Sequence, residues 1–298
     1  MSAATTTLVG REAPRRRVEA CLRAGRNVLL EGPVGVGKTH LALAIAERLA
    51  LPLFRVDGDG RYSEQKLSGW FDPPTVLQGG YGPEAFLPGP LVEAMTAGGL
   101  LLVNEINRLP EGVQNVLLPA IDERLVVVPR FGVIRARDGF RVIATQNPSD
   151  FVATSHLSEA LLDRFELVAL DYQSEAEETE IVLALLVAGK LGDAERRSLA
   201  AAAVAIARAT RNDPRIRRGA SVRAAIAIAE IAAAFHDDGT ALTAAIEEAS
   251  QIALPTRIEI ARDFGDESAA AAAATDVVAE LARTASTQIG EVPKKARP

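Results

Sequence analysis

The chain of 298 residues carries 39 Asp and Glu against 33 Lys and Arg, a net charge of −6, and is 48% apolar with only 4% aromatic residues. This is a globular composition, long enough for one large domain or two ordinary ones with a core of Ala, Leu, Val and Ile, and too acidic to carry the overall field that draws proteins to nucleic acid. The one cysteine, Cys21, excludes an internal disulfide framework. With no basic-then-apolar leader and no apolar run near the ~20 residues of a membrane span, the expectation is a soluble, cytoplasmic protein.

Short β-branched runs punctuate the first part of the chain at Asn27–Glu31, Leu53–Asp57, Leu100–Asn104, Arg141–Thr145 and Glu166–Leu170, with helical patterns between them. Strands alternating with helices predict βαβ units and a parallel sheet with helices on both faces. Two insertions are too long for ordinary loops. Asp57 to Pro90 is rich in Gly and Pro, with GGYG at 79–82, and Leu125 to Phe140 reads as a hairpin, LVVVPRF, a turn, then GVIRARDGF. From Ser174 onward the pattern is helical only and rich in alanine, with segments expected at Ser174–Lys190, Glu195–Arg211, Gly219–His236, Thr240–Ile252 and near Glu267–Thr284. Pro214 and Pro255 mark boundaries. The expected organisation is an α/β domain over 1–172 and an all-α domain over 173–298 that ends in a frayed tail, EVPKKARP.

Val28 to Thr39 is a strand running into GPVGVGKT, with Gly32, Gly37, Lys38 and Thr39 matching G-x-x-x-x-G-K-[ST]. Glycines let successive N–H groups turn inward on a phosphate, and the helix that follows presents its positive end to it. Lys38 then reaches the β- and γ-phosphates of a nucleotide and the Thr39 hydroxyl ligates magnesium. Leu100–Val103 reads as a strand buried on both faces, so the residues at its end face the ligand crevice. Glu105 there can orient or deprotonate a water. A run of this kind usually ends in two acids, but position 104 is Asn. A third run ends at Asn147, which can hold the same water from a second side. Asn147-Pro148 is equally a turn starter, and both readings stand.

Together these pieces resemble the AAA+ ATPases, and more closely their MoxR group, from about Val9 to at least Ile228. GPVGVGKT is similar to the family's Walker A, which implies nucleotide contacts from Gly32, Pro33, Val34, Gly35, Val36, Gly37, Lys38, Thr39 and His40. LLVNEINR looks like its Walker B, with Asn104 in place of the aspartate that acts on magnesium through water. ATQNP at 144–148 is close to its sensor 1, SEALLDRF at 158–165 resembles its arginine-finger segment, and GASVRAAIA at 219–227 is similar to its sensor 2. The resemblance thus implies a catalytic set of Glu105, Asn147, Arg164 and Arg223, with Val9 and Gly10 near adenine and ATP and Mg2+ as cofactors. It implies an AAA+ P-loop sheet with an all-α lid, assembled into a hexameric ring in which Arg164 acts on the neighbouring subunit's nucleotide. It also implies chaperone-like maturation of a client enzyme complex beside a von Willebrand factor A domain protein. Val222 replaces the usual sensor 2 proline, and DGDGRYSEQKLSG after Val56 departs from the group's commoner wording.

His40, His156 and His236 have no Cys or carboxylate at ligand spacing, so no metal site is expected from them. The basic runs Arg15–Arg17 and Arg215–Arg218 are candidates for DNA contact but read more readily as solvated faces or, for the second, as part of the nucleotide side. Trp70, Phe71 and Tyr81 either line a pore or pack on the domain. The leading reading is an ATP-hydrolysing remodelling motor. Asn104 keeps open a nucleotide-gated scaffold with little turnover, and a DNA-dependent motor is the weaker alternative.

Overall fold

A computed structural model describes residues 8–147, 157–187, 189–261 and 274–284. Pro148, His156, the first part of the last alanine-rich segment and the tail EVPKKARP lie outside them. The chain divides into two compact units between Asp171 and Tyr172.

In the first unit, α1 (Glu12–Arg23) leads into β1 (Asn27–Glu31), α2 (Lys38–Arg48), β2 (Leu53–Asp57), α3 (Pro90–Ala97), β3 (Leu100–Asn104), α4 (Glu111–Asp122), β4 (Arg141–Gln146) and β5 (Phe165–Ala169). All five strands lie within a residue of their expected positions. They form one parallel sheet in the order β2-β3-β4-β1-β5. β3 is buried along its whole length, as its unbroken apolar run requires. Leu101 and Val103 pack with Leu91 and Met95 of α3 and Val113 and Leu117 of α4. Chain order reverses beside β1, because the path runs out to the edge strand β2 and returns through β3 and β4 before crossing to β5. In such sheets ligands bind outside the carboxyl ends of the strands at the reversal. The register aligns those ends, with Asp57 opposite Asn104 and Glu31 opposite Gln146.

The insertions are structured. The first holds a helix at Glu64–Ser68, a helix at Pro73–Gly79 and an antiparallel pair of Gly69–Phe71 with Phe86–Pro88. The second is a hairpin, Leu125–Val128 against Gly132–Arg135, but its first arm is shorter than LVVVPRF. The chain turns at Pro129–Phe131, where Arg130 takes a left-handed conformation. Phe71 packs edge-on against Tyr81 at 5.0 Å, Phe131 stacks on Phe86 at 4.3 Å, and the Arg130 guanidinium lies 4.3 Å over Tyr81. Phe71 therefore packs on its own domain, while Trp70 and Tyr81 remain about half exposed.

The second unit contains α5 (Glu175–Leu185), α6 (Asp193–Asn212), α7 (Val222–Asp237) and α8 (Leu242–Ala253), with helix again over 274–284. Its core is almost entirely Ala, Leu, Ile and Val. Two expectations are corrected. The unit is not purely helical, since Ile216–Arg218 pairs antiparallel with Glu259–Ile260 and Arg217 reaches Glu259 at 2.9 Å. The first helix stops at Leu185 rather than Lys190, because Leu186 is extended and the chain is drawn to Asp237, whose carboxylate accepts the Lys190 N–H at 2.8 Å. The basic runs are matched locally, Arg15 by Glu19 at 3.0 Å and Arg215 by Asp213 at 2.7 Å. No helix among the described residues is long and apolar enough to cross a membrane.

Leu102 is fully buried in β3, so Leu102→Ala removes a core side chain that the flanking layers cannot replace. It is expected to lower unfolding free energy by about 2–5 kcal/mol in a denaturant titration. An unchanged midpoint would contradict the central placement of this strand.

Candidate functional site

The site is built where β1, β2, β3 and β4 end. After Glu31 the chain enters the loop Gly32–Gly37 and then α2. A Cβ at Gly32 would stand 2.1 Å from the Leu170 carbonyl oxygen, so only glycine lets the loop start this close to the end of β5. Gly35 and Gly37 have φ of 79° and 88°, conformations that other residues adopt at a cost. No side chain caps the first turn of α2, which leaves its leading N–H groups for an anion. The Lys38 ammonium donates to the Gly32 and Pro33 carbonyls at 2.6 and 2.9 Å. Val34 and His40 are exposed on the rim. These features fit a nucleotide's phosphates.

Arg11, in a left-handed conformation just after Val9 and Gly10, ties this loop down. Its guanidinium donates to the Val36 carbonyl at 2.8 Å and to the Asp171 carbonyl at 2.6 Å. The segment expected near adenine is thereby fixed to the phosphate loop, a contact across 25 residues that no local pattern announces.

The second wall is the end of β3. Asn104 is buried and bonded on both sides: its Oδ1 accepts the Thr39 hydroxyl at 2.9 Å, and its Nδ2 donates to Asp57 Oδ1 at 2.8 Å. Arg55 donates to the same Asp57 oxygen through Nε at 3.0 Å and Nη2 at 2.8 Å. Partial burial draws the Asp57 carboxyl upward, but the hydrogen bonds from Arg55 and Asn104 outweigh it and hold the group below its usual range, ionised at neutral pH. The hydroxyl and the amide carbonyl form an oxygen donor pair suited to a hard cation that keeps several waters, so these residues fit magnesium.

Glu105 follows in a left-handed conformation, φ 51° and ψ 52°, which is rare outside glycine and typical of positions held under constraint. Two contacts hold it. Its N–H donates to the Thr145 hydroxyl at 3.0 Å, and Gly58 lies so close that a Cβ there would meet the Glu105 carbonyl oxygen at 2.1 Å. The carboxylate is half exposed and pairs with Arg108 at 2.7 Å, an exchangeable surface contact. Asn147 is buried one residue beyond β4, and the preceding Gln146 donates to Glu31.

Thr39, Asn104 and Glu105 are therefore joined through side-chain and backbone links, with Asn147 at the adjoining strand end. Arg164 is engaged elsewhere. It pairs with Asp122 at the end of α4 and donates to the Ala160 carbonyl, and the Asp122 bond raises its pKa. Arg223 stands exposed in the first turn of α7, in the second unit. Sequence reasoning missed Asp57, Gly58 and Thr145, and gave Arg11 no role beyond its place in the segment expected near adenine. Only the acidic end of β2 carried a signal, since Asp57 closes a strand whose neighbour lacks its acid.

Residues 27–165 match the AAA domain model, dynein-related subfamily. Uncharacterized proteins of Staphylococcus epidermidis and Staphylococcus aureus (strain bovine RF122) are 33% and 35% identical over 156 residues, 52% of this chain and 59% of theirs. The chain thus spans little more than half the length of these curated relatives. The Thermotoga maritima RuvB Holliday junction branch migration motor superposes with a TM-score of 0.51 at 18% identity, covering 82% of this chain and 70% of that one. NtrX from Brucella abortus superposes at 0.52 and 17% identity, covering 79% and 51%. Likeness at this identity speaks for the fold alone, a parallel sheet flanked by helices and followed by a helical region.

Gly58→Ala is expected to force the end of β2 away from Asn104 and Glu105 and to destabilise the first unit by about 1–3 kcal/mol, read as a lower thermal midpoint. A midpoint equal to the wild type would mean that this close approach does not constrain Glu105.

Proposed function

We propose that this protein binds ATP with magnesium and hydrolyses it as an AAA+ remodelling motor of the MoxR type. The observation that carries the reading is Glu105. It is a carboxylate on a constrained backbone at the end of the buried strand, next to the residue bonded to Thr39 of the phosphate loop. Lys38 and the first N–H groups of α2 bind the phosphates. The Thr39 hydroxyl and the Asn104 amide oxygen would hold the cation side of that nucleotide. When bound, the magnesium nucleotide supplies the electrophilic phosphorus and part of the countercharge. Glu105 accepts a proton from the attacking water at a carboxylate oxygen, and Asn147 orients that water. Arg164 from an adjacent subunit, released from Asp122, neutralises developing charge, a contribution worth about 10³–10⁵ in rate where such fingers act. Arg223 serves from the helical unit. The subunits form a ring, in the cytoplasm by this reading, that acts on a client complex beside a von Willebrand factor A domain partner.

A second reading, a scaffold gated by nucleotide with little turnover, is favoured by Asn104, which brings no charge to the cation. Retention of Glu105 in a constrained position favours turnover.

Lys38→Ala is expected to weaken nucleotide binding sharply with an unchanged circular dichroism spectrum. Glu105→Gln keeps shape and binding, and turnover should fall by about 10²–10⁴. If Lys38→Ala binds nucleotide as the wild type does, the phosphate-loop assignment is wrong. If Glu105→Gln turns over normally, the base lies elsewhere. For the shared site, Arg164→Ala subunits mixed with Glu105→Gln subunits should recover some turnover, since some interfaces then combine an intact Glu105 with an intact Arg164. Absence of recovery at every ratio, with rings present by light scattering, would contradict a finger acting between subunits.

A further inference from the structure

We propose that Asp57 supplies, from the end of the neighbouring strand, the carboxylate that Asn104 lacks, so that the cation side of the site is a split pair, Asp57 and Asn104, instead of one aspartate on β3. This inference rests on the magnesium-nucleotide reading above and adds a residue to it.

The parallel register sets Asp57 directly beside Asn104. Between them runs a single hydrogen bond of 2.8 Å from Asn104 Nδ2 to Asp57 Oδ1. An ionised carboxylate only accepts, so Asp57 fixes which way the Asn104 amide points. The amide oxygen is thereby turned to the Thr39 hydroxyl, 2.9 Å away, on the side where the cation is expected. The three hydrogen bonds that Arg55 and Asn104 give Asp57 all go to Oδ1. Oδ2 takes none of these bonds, and the side chain is 63% exposed, open to a hydrated ion. Gly58 carries the chain away from Asp57 in contact with the Asn104 and Glu105 carbonyls, its N–H donating to the Asn104 carbonyl at 2.8 Å. The carboxylate is thus held against β3 from both its side chain and its backbone.

The two positions are complementary. An aspartate at 104 would set a second carboxylate against Asp57 with no donor between them, and like charges in contact oppose each other's ionisation. Asparagine at 104 removes that conflict. It presents an oxygen to the cation and a nitrogen to Asp57, and its amide is polarised by the charge behind it. The total charge of a one-aspartate site is kept, but displaced by one side chain.

The test is a double-mutant cycle read by binding. Fluorescence of a mant-labelled ATP analogue with a non-hydrolysable β–γ link is followed as magnesium is titrated into wild type, Asp57→Asn, Asn104→Asp and the double variant. Asp57→Asn keeps the shape and is expected to raise the half-saturating magnesium concentration roughly tenfold, the loss of one charge-assisted contact. Asn104→Asp alone should lower that concentration but melt earlier in metal-free buffer, because two carboxylates face each other. Adding Asp57→Asn to Asn104→Asp should restore the metal-free melting temperature and change the magnesium requirement by less than about twofold, since the charge then sits on β3. A residue that served only as an acceptor for Arg55 would not shift with the identity of residue 104. The proposal is overturned if Asp57→Asn leaves the magnesium requirement unchanged, or if it raises it by the same factor in both backgrounds. If the wild type binds none of the analogue, the nucleotide reading itself falls and takes the role of Asp57 with it.

Discussion

Five consecutive residues of β3, Leu100 to Asn104, are shut off from solvent, and the arrangement of the first unit follows from that constraint. A strand buried on both faces must lie inside the sheet with helices above and below it, and its ladder needs a partner on each edge. β2 and β4 supply the partners, and β1, paired on the far side of β4, ends in the Gly32–Gly37 loop at the same rim. Four of the five residues are aliphatic and satisfied by packing. The fifth, Asn104, carries an amide that would be destabilising by about 1–3 kcal/mol if left without partners. The fold meets that demand from two directions, the Thr39 hydroxyl and the Asp57 carboxylate. Stability and site geometry are therefore the same set of bonds at this point.

This coupling bears on the choice between a motor and a scaffold. Under the proposed motor reading, an amide at position 104 in place of a carboxylate would by itself suggest a weakened cation site. The structure places an ionised carboxylate in contact with that amide, so the charge remains nearby. Glu105 is held by its backbone through Thr145 and Gly58, while its carboxylate makes only an exchangeable contact with Arg108. A side chain with a fixed root and a loosely held tip is suited to taking a proton when a water is presented. Arg164 is held more firmly, by two nitrogens on Asp122 and a third on the Ala160 carbonyl.

The inner strands were legible as apolar runs that burial demands, the two edge strands from their β-branched and aromatic residues between helical patterns, and the glycine-rich turn into α2 from glycine, lysine and threonine at one spacing. The alanine-rich helices were legible from their length and period. What escaped lies in contacts without local signatures. Ile216–Arg218 is three residues long, too short for a period of two, and pairs across some forty residues with Glu259. The hairpin turn at Pro129–Phe131 depends on Arg130 taking a left-handed conformation, which an arginine does not advertise. The aromatic packing of Phe71, Tyr81, Phe86 and Phe131 joins two insertions that look independent along the chain. Asp57 and Asn104 are 47 residues apart, and only the register of β2 on β3 makes them neighbours. Asn104 alone reads as a loss. Beside Asp57 it reads as half of an exchange.

We infer that Thr39, Asn104 and Asp57 form the cation side of a nucleotide site whose phosphate side is Gly32 to Thr39. A crystal structure with manganese in place of magnesium and a non-hydrolysable ATP analogue tests it most directly, because the anomalous signal locates the metal independently of the refined chain. One manganese peak is expected beside the Thr39 hydroxyl, with Asn104 and Asp57 bordering its water shell and the phosphates in the Gly32–Thr39 loop. Phosphates bound away from that loop, or a metal whose waters touch neither Asn104 nor Asp57, would contradict it.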